Sequence, residues 1–189
     1  MNKFEEALKK YLETFANQEM YFINDTRNLE LFQRFPLNTN EDDIRMKVSA
    51  INETEIREHA IAGDMITHIK NLNIDERLAQ GDLALVEDIA NLDGHGKEYH
   101  LLHFASAYCN FHKPEVYPIY SEQHFGFYRT YIKNFNLNLD PEKLNTYPVF
   151  CAALNDLVDR LGLRGKMNYL QLRKFGWLYA EKVAAESKA

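Results

Sequence analysis

Ile89-Ala90-Asn91-Leu92-Asp93-Gly94-His95-Gly96-Lys97 is the stretch whose reading decides the fold. Val86 and Ile89 lead into it at helical spacing; after it, Leu101, Phe104, Ala105 and Tyr108 repeat at i, i+3, i+4 and i+7. The pattern predicts a short helix capped by Asp82, a sharp turn at Gly94-His95-Gly96, and a second helix from about Lys97 to Phe111. Two glycines permit positive φ and a close approach of backbone to a ligand. A helix opening at the turn would add unpaired N–H groups and the positive end of its dipole. Gly94, His95, Gly96 and Lys97 are therefore an expected anion site, with Asp93 partly opposing the charge of Lys97.

Working outward, helical spacing recurs on both sides. Phe4, Ala7, Leu8, Tyr11, Leu12 and Phe15 predict a first helix. Pro36 ends a less regular stretch, and Thr39 with Asp42 resembles a capping box, so a helix should begin near Asn40 with Ile44, Val48 and Ile51 buried. Ile61, Met65, Ile69 and Leu72 predict the next. Beyond the central pair, Pro114 and Pro118 enforce a loop and Ser121 is a natural N-cap for a helix with Phe125, Tyr128, Ile132 and Phe135 on its apolar face. Asp140-Pro141 opens another turn; Phe150, Ala153, Leu154, Leu157 and Leu161 form a stripe broken near Gly162 and Gly165; Leu172, Phe175, Tyr179 and Val183 predict a final helix. With no run of alternating β-branched residues, no repeat and no linker, the expected fold class is all-α, one domain over residues 1–189.

The 189 residues carry 46% apolar and 13% aromatic side chains, which excludes intrinsic disorder and permits a continuous core. No apolar run approaches the ~18 residues of a membrane helix and the N-terminus lacks a secretory stretch, so a cytoplasmic protein without membrane contact is expected. Cys109 and Cys151, far apart and outside any Cys-x-x-Cys pair, read as reduced and buried. The net charge of −6 argues against indiscriminate nucleic-acid binding. Its excess is local: residues 41–99 hold 14 acidic against 6 basic side chains, whereas residues 141–189 hold 8 basic against 5 acidic.

Leu92-Asp93-Gly94-His95-Gly96-Lys97 resembles the helix-hairpin-helix motif of the base-excision DNA glycosylase superfamily, familiar as Leu-Pro-Gly-Val-Gly followed by a helix. The family then places a loop ending in a Pro-x-Asp-like turn before another helix. Here that loop is Phe111-His112-Lys113-Pro114-Glu115-Val116-Tyr117-Pro118-Ile119-Tyr120-Ser121, and the order of elements matches over residues 83–135. The resemblance implies a multi-helix glycosylase-like domain whose hairpin amides hold a phosphate of double-stranded DNA, often with a bound monovalent cation and otherwise no cofactor.

Two departures bear on activity. The position of the family's catalytic Asp is Ser121, a hydroxyl that cannot stabilise a sugar cation comparably. The Schiff-base Lys of the bifunctional enzymes falls on Glu98, with Lys97 one place early and turned by about 100° on a helix. Glu98, Ser121 and Lys97 are thus weak catalytic candidates. Tyr120 and Phe127, off the apolar stripe, are candidates for stacking an extruded base. Arg164 and Lys166, with Arg160, form the best basic cluster and are candidates for a second phosphate contact, although cations also suit a helix C-terminus. His95, His100, His103 and His112 lack an accompanying ligand motif, so no metal site is expected.

Three functions follow. The first is a DNA-binding or damage-sensing protein, in the chemistry of DNA repair, with weak or no base excision. The second is an active divergent glycosylase using another carboxylate, such as Glu98 or Glu122. The third is a protein-interaction module without a nucleic-acid role, which the acidic middle favours.

Overall fold

The computed structural model describes residues 23–55 and 61–174. They are mainly helical. The helices predicted at Phe4 to Phe15 and around Phe175, Tyr179 and Val183 lie outside the described residues. The chain forms two compact units that change over between Tyr120 and Ser121, within a stretch carrying no glycine or polar linker to mark a boundary. The 83–135 segment therefore spans the changeover.

In the unit of residues 25–120, α1 (Ile23–Arg34) leads through Pro36 into α2 (Glu41–Glu55). The cap of α2 is Asn40, whose Oδ1 accepts from Asp42 N at 2.8 Å; Thr39 does not serve as the box residue. Ile44, Val48 and Ile51 are fully buried, as their spacing requires. Next come α3 (Ala62–Leu72), which packs on α2, a short α4 (Asp75–Gln80), and α5 (Ala84–Ala90), where Asp82 Oδ1 accepts from Ala84 N at 2.9 Å.

The decisive stretch departs from the expected all-α reading. Asn91–Gly94 and Lys97–His100 are antiparallel strands β1 and β2, paired Asn91 to His100, Leu92 to Tyr99, Asp93 to Glu98 and Gly94 to Lys97. His95 at φ 49° and Gly96 at φ 74° form the two-residue connection. Positive φ at both central positions matches the right-handed twist of the flanking strands, and the x-Gly dipeptide selects that turn. The second helix, α6, consequently runs Leu102–His112 and not from Lys97. The hydrogen bond from Leu101 N to Ala90 O, at 2.9 Å, continues the ladder to the root of the helix. Leu92 is buried beneath the ribbon, β1 packs on α3 and α5, and α6 packs on α2 and α5.

In the other unit, a 3-10 turn (Glu122–His124) runs into α7 (Phe125–Asn134). A second 3-10 turn (Pro141–Lys143) is capped by Asp140, which accepts from Glu142 N at 3.0 Å. It precedes α8 (Tyr147–Arg160), which packs on α7. Tyr128, Ile132, Phe150, Ala153, Leu154 and Leu157 are buried. Phe135 is not: it is exposed at the end of α7, with the Arg160 guanidinium over its ring. Gly162 and Gly165 both take positive φ where the α8 pattern breaks.

Candidate functional site

The ribbon changes what Gly94-His95-Gly96-Lys97 can do. With α6 starting at Leu102, no helix N-terminus stands at Gly96 to supply unpaired amides. Strand alternation puts Asn91, Asp93, Glu98 and His100 together on the solvent side, all exposed, so two carboxylates sit directly opposite each other at Asp93 and Glu98. Beneath the tip, an added Cβ on Gly94 would lie 2.7 Å from Asp64 Oδ2, and the same oxygen is 3.4 Å from His95 Nε2. His100 Nε2 meets Glu87 Oε2 at 2.9 Å. Lys97 is exposed at the ribbon end. A phosphate approaching this face meets more negative than positive charge.

A cation bridging backbone to phosphate, as the resemblance implies, needs carbonyl oxygens that converge freely. The ribbon commits the peptide groups of Leu92 and Gly94 to pairing with Tyr99 and Lys97, so these residues do not fit that group. Nor do the described residues contain three or more His, Cys, Asp or Glu placed to hold a metal ion.

Ser121 is buried and extended at φ −153°, and its side chain makes no capping bond. The expected capping is done by its carbonyl, which accepts from His124 N at 3.2 Å. Tyr120 is also buried, its N–H donating to Ser106 Oγ at 2.9 Å, so it packs as core and does not line an open slot. Phe127 is half-buried, stacked on Tyr131 and edge-on to Tyr128. The preceding loop is pinned at Asn110, which donates Nδ2 to Tyr117 O at 2.6 Å, and at Lys113, which donates to Ala79 O.

The C-terminal basic cluster is paired internally. Arg164 binds Asp159 through Nε at 2.6 Å and Nη2 at 3.0 Å, and Arg160 Nε reaches Asp156 Oδ2 at 2.5 Å. Tyr131 OH donates to the same Asp156 oxygen at 2.6 Å. The Arg160 and Arg164 guanidinium groups hold the Asp156 and Asp159 carboxyls below the usual range. Lys166 is exposed beside them.

The most concentrated polar chemistry lies elsewhere. Lys47 is fully buried, and its Nζ donates to Phe35 O at 3.1 Å, Leu37 O at 2.9 Å and Asn38 Oδ1 at 2.6 Å. Tyr108 OH donates to the same Asn38 oxygen at 2.6 Å. Asn38 in turn donates N and Nδ2 to Asp75, and its Nδ2 meets His112 Nε2 at 3.3 Å. Burial pushes the Lys47 ammonium down to about 8, against the opposing pull of Asp75 and Asp43. Burial, reinforced by Lys47, pushes His112 down to about 3, which fixes it as a neutral acceptor for the amide. All three ammonium protons are used, so Lys47 has no free lone pair for nucleophilic chemistry and acts as a tie between the α1–α2 loop, α2, α4 and α6. Its signal was present in the sequence: position 47 is i+3 from Ile44, on the buried face.

A family model described as an N-terminal domain, HI_0787_N, matches residues 7–116, more than half of the chain. The chain belongs to the HI_0787_N family. The matched span takes in the buried Lys47 network and the ribbon and stops before Ser121. A Haemophilus influenzae protein described as uncharacterized is 27% identical over 118 residues, covering 61% of this chain. The chain matches 55% of that relative's length. No solved structure matches this HI_0787_N member. Among the described residues no helix is long and apolar enough to cross a membrane.

Proposed function

We propose that this HI_0787_N member is a non-excising interaction module whose partner is a protein, carried on an order of elements similar to that of the DNA glycosylases. One observation carries the reading. The hairpin that a glycosylase-like protein would present to phosphate is a β-ribbon with Asp93 and Glu98 opposed on its solvent face and Asp64 beneath its tip. Like charge repels a polyanion. Ser121 adds the lack of a carboxylate where the resemblance implies one, and the carboxylates of Glu98 and Glu122 stand exposed at the surface, outside any enclosed pocket that would shield a reacting sugar from water.

The experiment is a charge reversal. If the opposed carboxylates keep DNA away, Asp93→Lys/Glu98→Lys should bind a duplex in low salt at least about tenfold more tightly than the unchanged protein, which should release no base from damaged oligonucleotides. Equal binding by both proteins, or base release by the unchanged protein, overturns the reading.

A second reading is DNA binding or damage sensing. It is favoured by the retained order of hairpin, helix, proline loop and Ser121-led turn, and by His95 and Lys97 at the exposed tip of a ribbon of a size that enters a major groove. Under it, Gly94, His95, Gly96 and Lys97 would meet one phosphate, and Arg164 and Lys166 another.

A further inference from the structure

The two edges of the ribbon differ. β1 packs on α3 and α5, whereas β2 is exposed at Lys97, Glu98 and His100 and half-buried at Tyr99. The two-residue turn makes Gly94 and Lys97 a hydrogen-bonded pair, and the bond from Leu101 N to Ala90 O places the ladder in the same phase at the other end. Leu92 and Tyr99 therefore also exchange bonds, while the backbone N–H and C=O of Glu98 and His100 point outward from β1. Those groups have no hydrogen-bond partner among the described residues. An edge of this kind is a template for another strand.

We propose that the occupant is a second copy of this chain, with β2 pairing antiparallel to β2 about a two-fold axis through Tyr99 and forming a four-stranded sheet. The register follows from charge. Centred on Tyr99, it sets Glu98 of each copy opposite His100 of the other, and these are the residues whose backbone groups face outward, so both pairs exchange hydrogen bonds. Centring on Glu98 or on His100 would place identical side chains opposite each other, which is unfavourable for like charges. The selected register sets Asp93, Glu98, His100 and Asn91 in one row across the solvent face. The His100 imidazole of the second copy thus lies beside a Glu98 that faces only Asp93 within its own hairpin. His100 is held on that face by Glu87. On the other face Tyr99 meets Tyr99 at a non-hydrogen-bonded position, where side chains approach most closely, flanked by the two copies of Leu92.

Four-residue edges bury less than the ~1,000 Å² of a stable interface, so the dimer is a weak one, with a dissociation constant on the order of 100 µM. This proposal stands apart from the choice between protein and DNA as a partner. Its test is sedimentation velocity of the full chain from about 10 µM to about 1 mM, with amide hydrogen exchange read at Glu98 and His100. A concentration-dependent dimer in which those two amides become protected is expected. Glu98→Lys should weaken it about tenfold while improving the match to Asp93 within the hairpin, so that the loss cannot be assigned to unfolding. Glu98→Lys/His100→Glu, made with Glu87→Gln because Glu87 faces position 100, should recover association to within about threefold of the Glu87→Gln protein. A monomer throughout the range, a dimer indifferent to both variants, or a dimer that leaves both amides unprotected would overturn the proposal.

Discussion

Replacing Lys47 by Met removes a buried cation and keeps most of its stem volume, so its effects are electrostatic and hydrogen-bonding in origin. At pH 7 two opposing terms act. Lys47 carries a charge that burial disfavours, since its pKa is lowered from 10.5 to about 8. Its Nζ also satisfies Phe35 O, Leu37 O and part of Asn38 Oδ1. Buried carbonyls left without a donor cost about 1–3 kcal/mol each, and breaking a buried charged network typically costs about 3–5 kcal/mol. The cation's desolvation, about 3 kcal/mol for a shift of this size, is already contained in the stability of the unchanged protein and is relieved by the substitution. Set against that relief, the network cost leaves a net expected loss of about 0–2 kcal/mol for Lys47→Met at pH 7.

The sign of the pH dependence is the sharper test. Below pH 8 the lysine is protonated both folded and unfolded. Between about 8 and 10.5 the unfolded chain holds more protons, so the contribution of Lys47 to stability rises with pH and levels off above that window. Urea unfolding at pH 7, 8, 9, 10 and 10.5 on both proteins isolates the group, because groups that Lys47 does not touch titrate alike in both, and burial, the larger cause of the His112 shift, keeps that imidazole neutral over this range. The advantage of the unchanged protein over Lys47→Met should widen by up to about 3 kcal/mol across the window. A difference that stays flat across the window, or that narrows as pH rises, would refute the account of Lys47 as a buried structural cation.

Other substitutions probe the ribbon and the changeover. Gly94→Ala pushes a methyl to 2.7 Å from Asp64 Oδ2 and should lower stability by about 1–2 kcal/mol in thermal unfolding, with most of the loss recovered in the Gly94→Ala/Asp64→Ala pair. Ser121→Asp places a carboxylate at a buried position, where the resemblance to the glycosylases implies one; it should destabilise by about 2 kcal/mol or more and release no base from a damaged-oligonucleotide panel. Burial drives the Cys109 thiol well above its ordinary range, so a thiol reagent near pH 8 should modify it only after denaturation.

Helical periodicity made most of the helical core legible. Ile44, Val48 and Ile51 on α2, or Leu154 and Leu157 on α8, needed only 3.6-residue spacing and are buried accordingly. The ribbon was harder to read for a local reason. Lys97-Glu98-Tyr99-His100 has no β-branched residue and leads into an apolar helix, so its propensity gives little against extending that helix backward. What commits it to a strand is positive φ at His95 and Gly96, a property of two residues. Lys47 was missed because a lone lysine within an apolar stripe is ordinarily solvated at its head, and its acceptors Phe35, Leu37 and Asn38 come from a loop whose path no periodicity describes. Arg160 and Arg164 were visible as charges, whereas their neutralisation by Asp156 and Asp159 depends on how α8 ends.

Whether the ribbon cradles a phosphate separates the two readings of this protein. Fluorescence anisotropy of a labelled duplex titrated with the full chain, in about 20 mM and about 150 mM salt, tests it most directly when repeated with Lys97→Glu. For a ribbon that repels phosphate, no saturable binding is expected below about 100 µM at either salt, and no change on substitution. Micromolar binding in low salt that falls steeply with added salt and is lost with Lys97→Glu would contradict it.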